Sequence, residues 1–466
     1  MTADVVIIGA GPAGLSLAIG LAQLGVCVEI IDEGQTAGGQ VYRAVSRNSS
    51  NKQLLDWLGL DYAKGAAVVS DAQKLDRISW RMATSVWDIR CEDEGIELGL
   101  VVDGKVSVVK SNHVVLATGA MERPTPFPGW TLPGVVSMGA AQTLLKDAVL
   151  LPEDGVVLAG QGPLLYLFAS QILAAGVRPK AVLDFAPKWV APKHLPLLAR
   201  ALISSGKMIA KGLHLRNQIS AAGVEHLFNV KRIEAFGDDS LNRVRYLHRG
   251  VEKEVETKLL LVHDGVIANT HITTAAGCAH NWDKQQAAWI PRRNTLGQTS
   301  CKNLWMLGDG AGIAGADAAV LQGRIMARAI AMKLDLSPPY GEHQNRADLQ
   351  ALSRITILRR FLDRQYAPVA AFSNPPDETM ICRCEAIKAV EIRTLARSGC
   401  MGPNQLRAFS RAGMGPCMGR QCGGAISRIM AAETGQDIAD IGHFSIRTPL
   451  KPVTLAEVAS LHKVEP

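Results

Sequence analysis

Asp4-Val-Val-Ile-Ile-Gly9-Ala-Gly11-Pro-Ala-Gly14, at the start of the chain, decides the architecture. The apolar run before Gly9 suits a parallel strand buried on both faces. Gly9, Gly11 and Gly14 stand at G-x-G-x-x-G spacing, with Pro12 and Ala13 inside the turn. An Ala- and Leu-rich helix is predicted from Leu15 to Leu24, then a strand from Val26 to Ile31 that ends in Asp32-Glu33. Strand, glycine turn, helix and second strand ending in an acid make the βαβ fingerprint of a dinucleotide site. The glycines let backbone N–H groups approach a pyrophosphate at the helix N-terminus. Glu33, or its neighbour Asp32, would accept from the ribose hydroxyls.

The pattern returns at Val156-Val-Leu-Ala-Gly160-Gln-Gly162-Pro-Leu-Leu165, followed by an apolar helix to Ala175 and a strand to Asp184. Leu165 stands where the third glycine should be. That glycine serves close helix–strand packing, so its loss leaves the phosphate turn in place. The sequence leaves open whether this second Rossmann-like domain holds NAD, ATP or nothing.

Two more buried strands end in small-residue turns: His113-Val-Val-Leu-Ala-Thr118-Gly119, and Asn303-Leu-Trp-Met-Leu-Gly308-Asp309-Gly310, which leads into a helix from Ala316 to Lys333. Asp309 reads either as the N-cap of that helix or as a ligand group. The pairing of these strands across a long insert predicts a discontinuous first domain, 1–145 with 256–333, interrupted by a second at 146–255. A linker containing a helix follows at 334–377, from Ser-Pro-Pro-Tyr-Gly (337–341) to Asn-Pro-Pro-Asp (374–377). A cysteine module is expected at 378–435 and an extended tail at 436–466. The fold class is α/β: two Rossmann-like domains plus a small C-terminal module.

Cys382, Cys384, Cys417 and Cys422 read C-x-C and, further on, C-x4-C, whereas Cys27, Cys91, Cys278, Cys301 and Cys400 stand singly. Four thiolates can close either a structural zinc site or an iron–sulfur site. Zinc sites of four cysteines usually pair C-x2-C with C-x2-C, and C-x-C is less usual there. A helix through Ile426 to Ala432, with Arg411 and Arg420, would help offset the negative charge of a cluster. Cys400 reads as a buried small hydrophobe.

The net charge of +7 is spread over scattered Lys and Arg, which argues against nucleic acid as a partner. Two uncharged stretches, Val5 to Val28 and Gly155 to Val177, are each broken by Gly-x-Gly-Pro, unlike a membrane-spanning helix. Asp4 replaces the positive start of a signal peptide. A cytoplasmic, reducing location is expected, with membrane contact at the inner membrane only through an electron acceptor, and with cysteines as thiols or ligands rather than disulfides.

These motifs together resemble the two-dinucleotide-binding-domain flavoproteins, the group of glutathione and thioredoxin reductases. The resemblance implies FAD. Gly9, Gly11, Pro12, Ala13 and Gly14 would hold its pyrophosphate and Glu33 its adenosine ribose. Val86 would offer a backbone contact to adenine. Gly39 and Gln40 of the Gly38-Gly39-Gln40 turn, with Thr118, Gly119 and Gly308, would surround the flavin. Asp309 would bind the ribityl chain or a phosphate-linked hydroxyl. The redox-active cysteine pair of the disulfide reductases is missing: Gln40-Val-Tyr-Arg43 has no cysteine, and the second domain has no C-x-x-C.

A narrower resemblance rests on Phe127-Pro-Gly-Trp-Thr-Leu-Pro-Gly134-Val, Gly139-Ala-Ala-Gln-Thr, His263-Asp-Gly-Val, Gly277-Cys-Ala-His280-Asn-Trp and Gly308-Asp-Gly-Ala-Gly-Ile-Ala-Gly-Ala. It is to the larger flavin subunit of bacterial hetero-oligomeric amine dehydrogenases, a family that includes opine oxidases, hydrogen cyanide synthase and D-hydroxyproline dehydrogenase. The C-terminal module resembles [2Fe-2S] domains of the bacterioferritin-associated-ferredoxin type. The resemblance implies a cluster on Cys382, Cys384, Cys417 and Cys422, and an FMN held between subunits. It also implies two partners, a glycine-oxidase-like catalytic β subunit plus a small ferredoxin-like subunit, with electrons passed to a quinone or other acceptor. No general base stands out; Cys278 and His280 read more readily as structural. Two rival readings remain at this level: a self-contained NAD(P)H-dependent flavin/[2Fe-2S] reductase, and a non-enzymatic zinc-bound regulatory or assembly protein.

Overall fold

The computed structural model describes residues 3–336 and 342–463. The Ser-Pro-Pro-Tyr-Gly part of the expected linker and the last three residues of the tail lie outside them. The first strand, Val5–Ile8, is wholly buried and runs parallel to Val28–Ile31 on one side and Val114–Leu116 on the other. The sheet is completed by Ile78–Arg81 and Leu304–Met306, giving the order Leu304–Met306, Val114–Leu116, Val5–Ile8, Val28–Ile31, Ile78–Arg81, all parallel. The first helix spans Pro12–Gln23, starting before the predicted Leu15. Proline fits a first turn because its ring presets φ and its missing N–H would have had no partner there. Helix Ala316–Lys333 packs against it.

The second parallel sheet has the order Glu225–Phe228, Ala181–Asp184, Val157–Gly160, Leu260–His263, Val135–Ser137. Two of its strands, Val135–Ser137 and Leu260–His263, fall on the first domain's side of the expected boundaries at 145 and 256. A three-residue strand carries almost no pattern of its own, and an apolar run such as Leu260–His263 suits either sheet. Each half also carries a three-stranded antiparallel meander, Ser85 to Ser111 in the first and Arg232 to Glu256 in the second.

Helix Glu342–Gln365 lies in the linker and buries Leu358 and Phe361 beside Ala201 of the long helix Leu195–Ala221. Beyond it, Met380–Cys382 pairs with Ile387–Lys388. Helices Ala389–Arg397, Pro403–Ser410 and Gly423–Thr434 close over a separate core of Ile381, Ile392, Leu406, Ile426, Ile429 and Met430. Trp130 Nε1 donates to Met380 O at 2.6 Å, anchoring this module to the second domain. The segment after it departs from the expected extended tail. It contains short helices at Ile438–Ile441 and Leu455–Ala459, the second started by a capping box of Thr454 and Glu457. It also folds back onto the first domain, where Leu450 N donates to Trp87 O and Val106 N donates to Ser460 Oγ. Among the described residues no helix is long and apolar enough to cross a membrane.

Candidate flavin and cysteine sites

Gly11 is the N-cap of helix Pro12–Gln23 and offers no side chain to the first-turn amides. Those amides stay open to an anion, which the helix dipole also favours. Gly14 is sterically required: a Cβ there would stand 2.0 Å from Gly9 O. The turn at Gly39 backs onto the first one, since its own Cβ would come within 2.8 Å of Gly11 Cα at a φ of +58°. The two acids at the end of the second strand have different surroundings. Asp32 Oδ2 accepts from Ala10 N at 2.6 Å and its Oδ1 from Gly34 N at 2.7 Å, so this carboxylate braces the glycine turn. Glu33 faces outward and is paired with Lys451 of the folded-back tail.

Val86 is buried in strand Ser85–Glu92, and a register shift between Val86 and Asp88 leaves the Trp87 carbonyl to the tail. Thr118 and Gly119 follow strand Val114–Leu116, and Asn269 N donates to Gly119 O at 3.1 Å. Gly308 N donates to Gln322 Oε1, and a Cβ on Gly308 would touch Ala13 at 2.8 Å, which sets this turn against the first helix. Asp309 is not the N-cap of the following helix; Gly315 holds that position. Its Oδ1 accepts from Ala314 N and Gly315 N, both at 2.8 Å, holding the loop that leads into the helix. Gln40 Oε1 accepts from Thr143 Oγ1, and its carbonyl accepts from Lys146 Nζ at 3.0 Å. Lys146 has no sequence signal. It is buried, and burial, then Arg43, pull its ammonium down to about 8. The Gly39 and Gly308 turns abut the first glycine turn, whose amides alone are open, and the residues present fit a flavin dinucleotide.

The second glycine turn is different. Gln161 Nε2 donates to Asp264 Oδ1 at 2.7 Å and to Ala367 O at 2.8 Å. The ring of Tyr366 lies over Gly162, 3.9 Å from where a Cβ would stand. The linker therefore covers the start of helix Pro163–Ala174. Asp184, in the ribose-acceptor position of this repeat, is wholly buried. Its oxygens accept from Tyr166 Oη at 2.7 Å and Ala186 N at 2.9 Å, and His226 Nε2 lies 3.2 Å away.

The four C-terminal cysteines lie in two close pairs. Cys384 Sγ is 3.8 Å from Cys417 Sγ, and Cys382 is hydrogen-bonded to Cys422. The Cys422 hydrogen bond pulls the Cys382 thiol down to about 5, helped by the amides of Gly413, Glu385 and Cys384. Cys422 is pushed up by the same bond and by burial. Cys422 is the N-cap of helix Gly423–Thr434. Arg420 Nε donates to Cys417 O at 3.2 Å, whereas Arg411 is held by Glu385. Among the described residues no group of three or more His, Cys, Asp and Glu side chains is arranged to hold a single metal ion. A [2Fe-2S] cluster divides its four cysteines between two irons, so two thiol pairs within a network of amide donors fit that group.

Cys400 is buried in the same core cluster as Cys382 and Cys422, but belongs to neither close thiol pair. Cys278 is also buried, 3.5 Å from Cys301 Sγ, and His280 Nε2 lies 2.9 Å from Thr273 Oγ1. All nine cysteines are free of disulfides.

Residues 3–331 match the model of the pyridine nucleotide-disulphide oxidoreductase family, and 378–461 that of the sarcosine oxidase A3 domain. The A subunit of opine oxidase from Agrobacterium tumefaciens (strain Ach5) is 39% identical across 98% of this chain and 92% of its own length. The HcnB subunit of hydrogen cyanide synthase from Pseudomonas protegens is 31% identical across 97% of each. Among solved structures, L-proline dehydrogenase from P. horikoshii superposes with a TM-score of 0.68 at 19% identity, covering 98% of this chain and 79% of that one. The full-length relatives are thus oxidoreductase subunits, and the two family models meet this chain in its nucleotide-binding part and in its cysteine module. The chain belongs to the pyridine nucleotide-disulphide oxidoreductase family and, along nearly its whole length, to the family of opine oxidase A subunits.

Proposed function

We propose that this chain is the FAD- and [2Fe-2S]-containing electron-transfer subunit of a complex that oxidises an amine or imino acid on a partner subunit. The observation that carries this reading is the asymmetry between the two glycine turns. The first presents open amides, whereas the second is covered by Tyr366 and Ala367 and its acid, Asp184, is buried. An NAD(P)H-dependent reductase would need that second turn open. A bound flavin would supply two-electron chemistry and a cluster on the four cysteines one-electron chemistry. The chain's own residues bind and orient: the turn amides hold phosphate, Glu33 faces the adenosine end, and Cys382 supplies a sulfur already disposed to carry negative charge. The names of the full-length relatives support an opine as the substrate of a glycine-oxidase-like partner, and a D-amino acid or hydroxyproline offers the same kind of C–N bond. A small ferredoxin-like subunit would complete the complex, and a quinone would receive the electrons, in the cytoplasm or at the inner face of the membrane.

Co-expression with a glycine-oxidase-like partner, followed by a screen of opines, D-amino acids and prolines with an artificial electron acceptor, tests the reading. Activity should require both chains. Rapid amine oxidation by this chain alone, or rapid anaerobic bleaching of its flavin by NADH or NADPH, would overturn it.

A further inference from the structure

Between the first domain and helix Gly423–Thr434 lies a cavity of about 110 Å³. Arg428, half-buried with its Nε enclosed, is part of its lining. Its Nε has no partner, and among the described residues no hydrogen bond or ion pair reaches this side chain. Burial lowers its proton affinity, Arg123 adds to the effect and Asp264 opposes it; the result, about 10, leaves the group charged at neutral pH. A guanidinium that is partly withdrawn from water and has no counter-charge is offset most directly by an anion.

The neighbouring groups cannot supply one. Arg123, also in the lining, is already satisfied: its Nε donates to Asp264 O, and its two terminal nitrogens to Ala287 O and Gln286 O. Among the described residues no Asp or Glu lines the cavity. Two other lining residues carry buried nitrogens without partners, Trp289 at Nε1 and His271 at Nε2. Trp289 can donate its Nε1–H into the cavity, whereas neutral His271 gives its ring proton to Met418 and leaves Nε2 an acceptor; Arg420 adds a second guanidinium. Guanidinium groups bind carboxylate and phosphate oxygens through paired, charge-assisted hydrogen bonds. Size narrows the choice, since a cavity of roughly 150 Å³ holds one benzene. This one takes a ligand of a few heavy atoms, not a flavin ring.

We propose that this cavity is a binding site for a small oxyanion, a phosphate or a short carboxylate, held by Arg428. The bound anion would join the cysteine module to the first domain, because Arg428 belongs to helix Gly423–Thr434 and Trp289 to strand Ala288–Pro291. This assignment does not depend on the electron-transfer reading.

The test is calorimetric titration of the cofactor-loaded full chain with inorganic phosphate and with acetate, at constant ionic strength in chloride, with thermal unfolding alongside. Phosphate or acetate should bind saturably and raise the melting temperature, and whichever binds more tightly identifies the source. Arg428→Met should weaken that binding at least ~10-fold, the ratio expected when one charge-assisted contact is lost. It should also melt higher than the wild type in chloride alone, because the unpaired charge is gone. Arg428→Lys, which keeps the charge but not the fork, should bind with intermediate affinity. If Arg428→Met fails to fold, the wild-type and Lys titrations decide. No saturable binding of either anion, or equal binding by the wild type and every folded variant, would overturn the proposal.

Discussion

Lys451, in the folded-back C-terminal segment, pairs with Glu33 at the end of the second strand of the nucleotide-binding fold. Its neighbour Leu450 is buried against Val86 and hydrogen-bonded to Trp87 O. The C-terminal segment thus reaches the carboxylate proposed to take the adenosine ribose, and Lys451 holds it in an ion pair. Glu33→Gln should speed FAD release about tenfold, in keeping with the loss of a hydrogen bond to a charged group. Lys451→Ala should do so only about threefold, because the pair is largely exposed. Flavin fluorescence after dilution measures both rates, and unchanged release in Glu33→Gln would remove this carboxylate from the site.

Cys382→Ser and Cys417→Ser should each reduce iron and acid-labile sulfide from about two per chain to near zero, while FAD content stays at the wild-type level. Cys400→Ser, altered in the module's core and not among the paired thiols, should keep its iron. Metal analysis together with the spectrum of the dithionite-reduced protein separates these outcomes. Stoichiometric zinc in the wild type would replace the cluster with a structural site.

Gly14→Ala places a methyl group against Gly9 O and Ile7 Cγ2, both in or beside the first strand. Backbone cannot give way as a flexible side chain can, so a loss of roughly 3 kcal/mol is expected, together with loss of bound FAD. Urea denaturation and flavin content check this, and a variant with wild-type stability would mean that the helix can shift off the strand.

His271 and His280 are both held down to about 4, chiefly by burial, with Arg420 acting further on the first and His443 on the second. An unfolded chain would protonate them near 6.5. Below that pH the unfolded state binds more protons, so stability falls as pH drops from about 6.5 towards 4. The loss approaches about 3 kcal/mol per histidine at the lower end. Urea midpoints between pH 7.5 and 4.5 should show this slope, and His280→Gln should reduce it. An unchanged slope in that variant would place the acid sensitivity elsewhere.

The first sheet is legible in the sequence because a buried parallel strand, a glycine turn and a terminal acid constrain one another within thirty residues. The choice between Asp32 and Glu33 is not, since it depends on which oxygen the Ala10 and Gly34 amides reach. Strand Val135–Ser137 is invisible there because three residues show no periodicity. Arg411 is expected beside the cysteines, but Glu385 holds it. Nothing in the sequence singles out Arg428 or Lys451. Their roles come from burial by segments far away in sequence, which composition does not record.

Val114–Leu116 has Val5–Ile8 on one side and Leu304–Met306 on the other. During synthesis its second edge therefore stays bare until the entire inserted second domain has left the ribosome. An unpaired, apolar edge is a template for wrong partners, and closing so long a loop is slow. The inserted domain can fold as a unit meanwhile, bringing its two ends together and so delivering Leu304–Met306 to the waiting strand. Variants that destabilise only the second domain should therefore lower the yield of soluble, flavin-loaded chain, even though they leave every residue of the first site untouched.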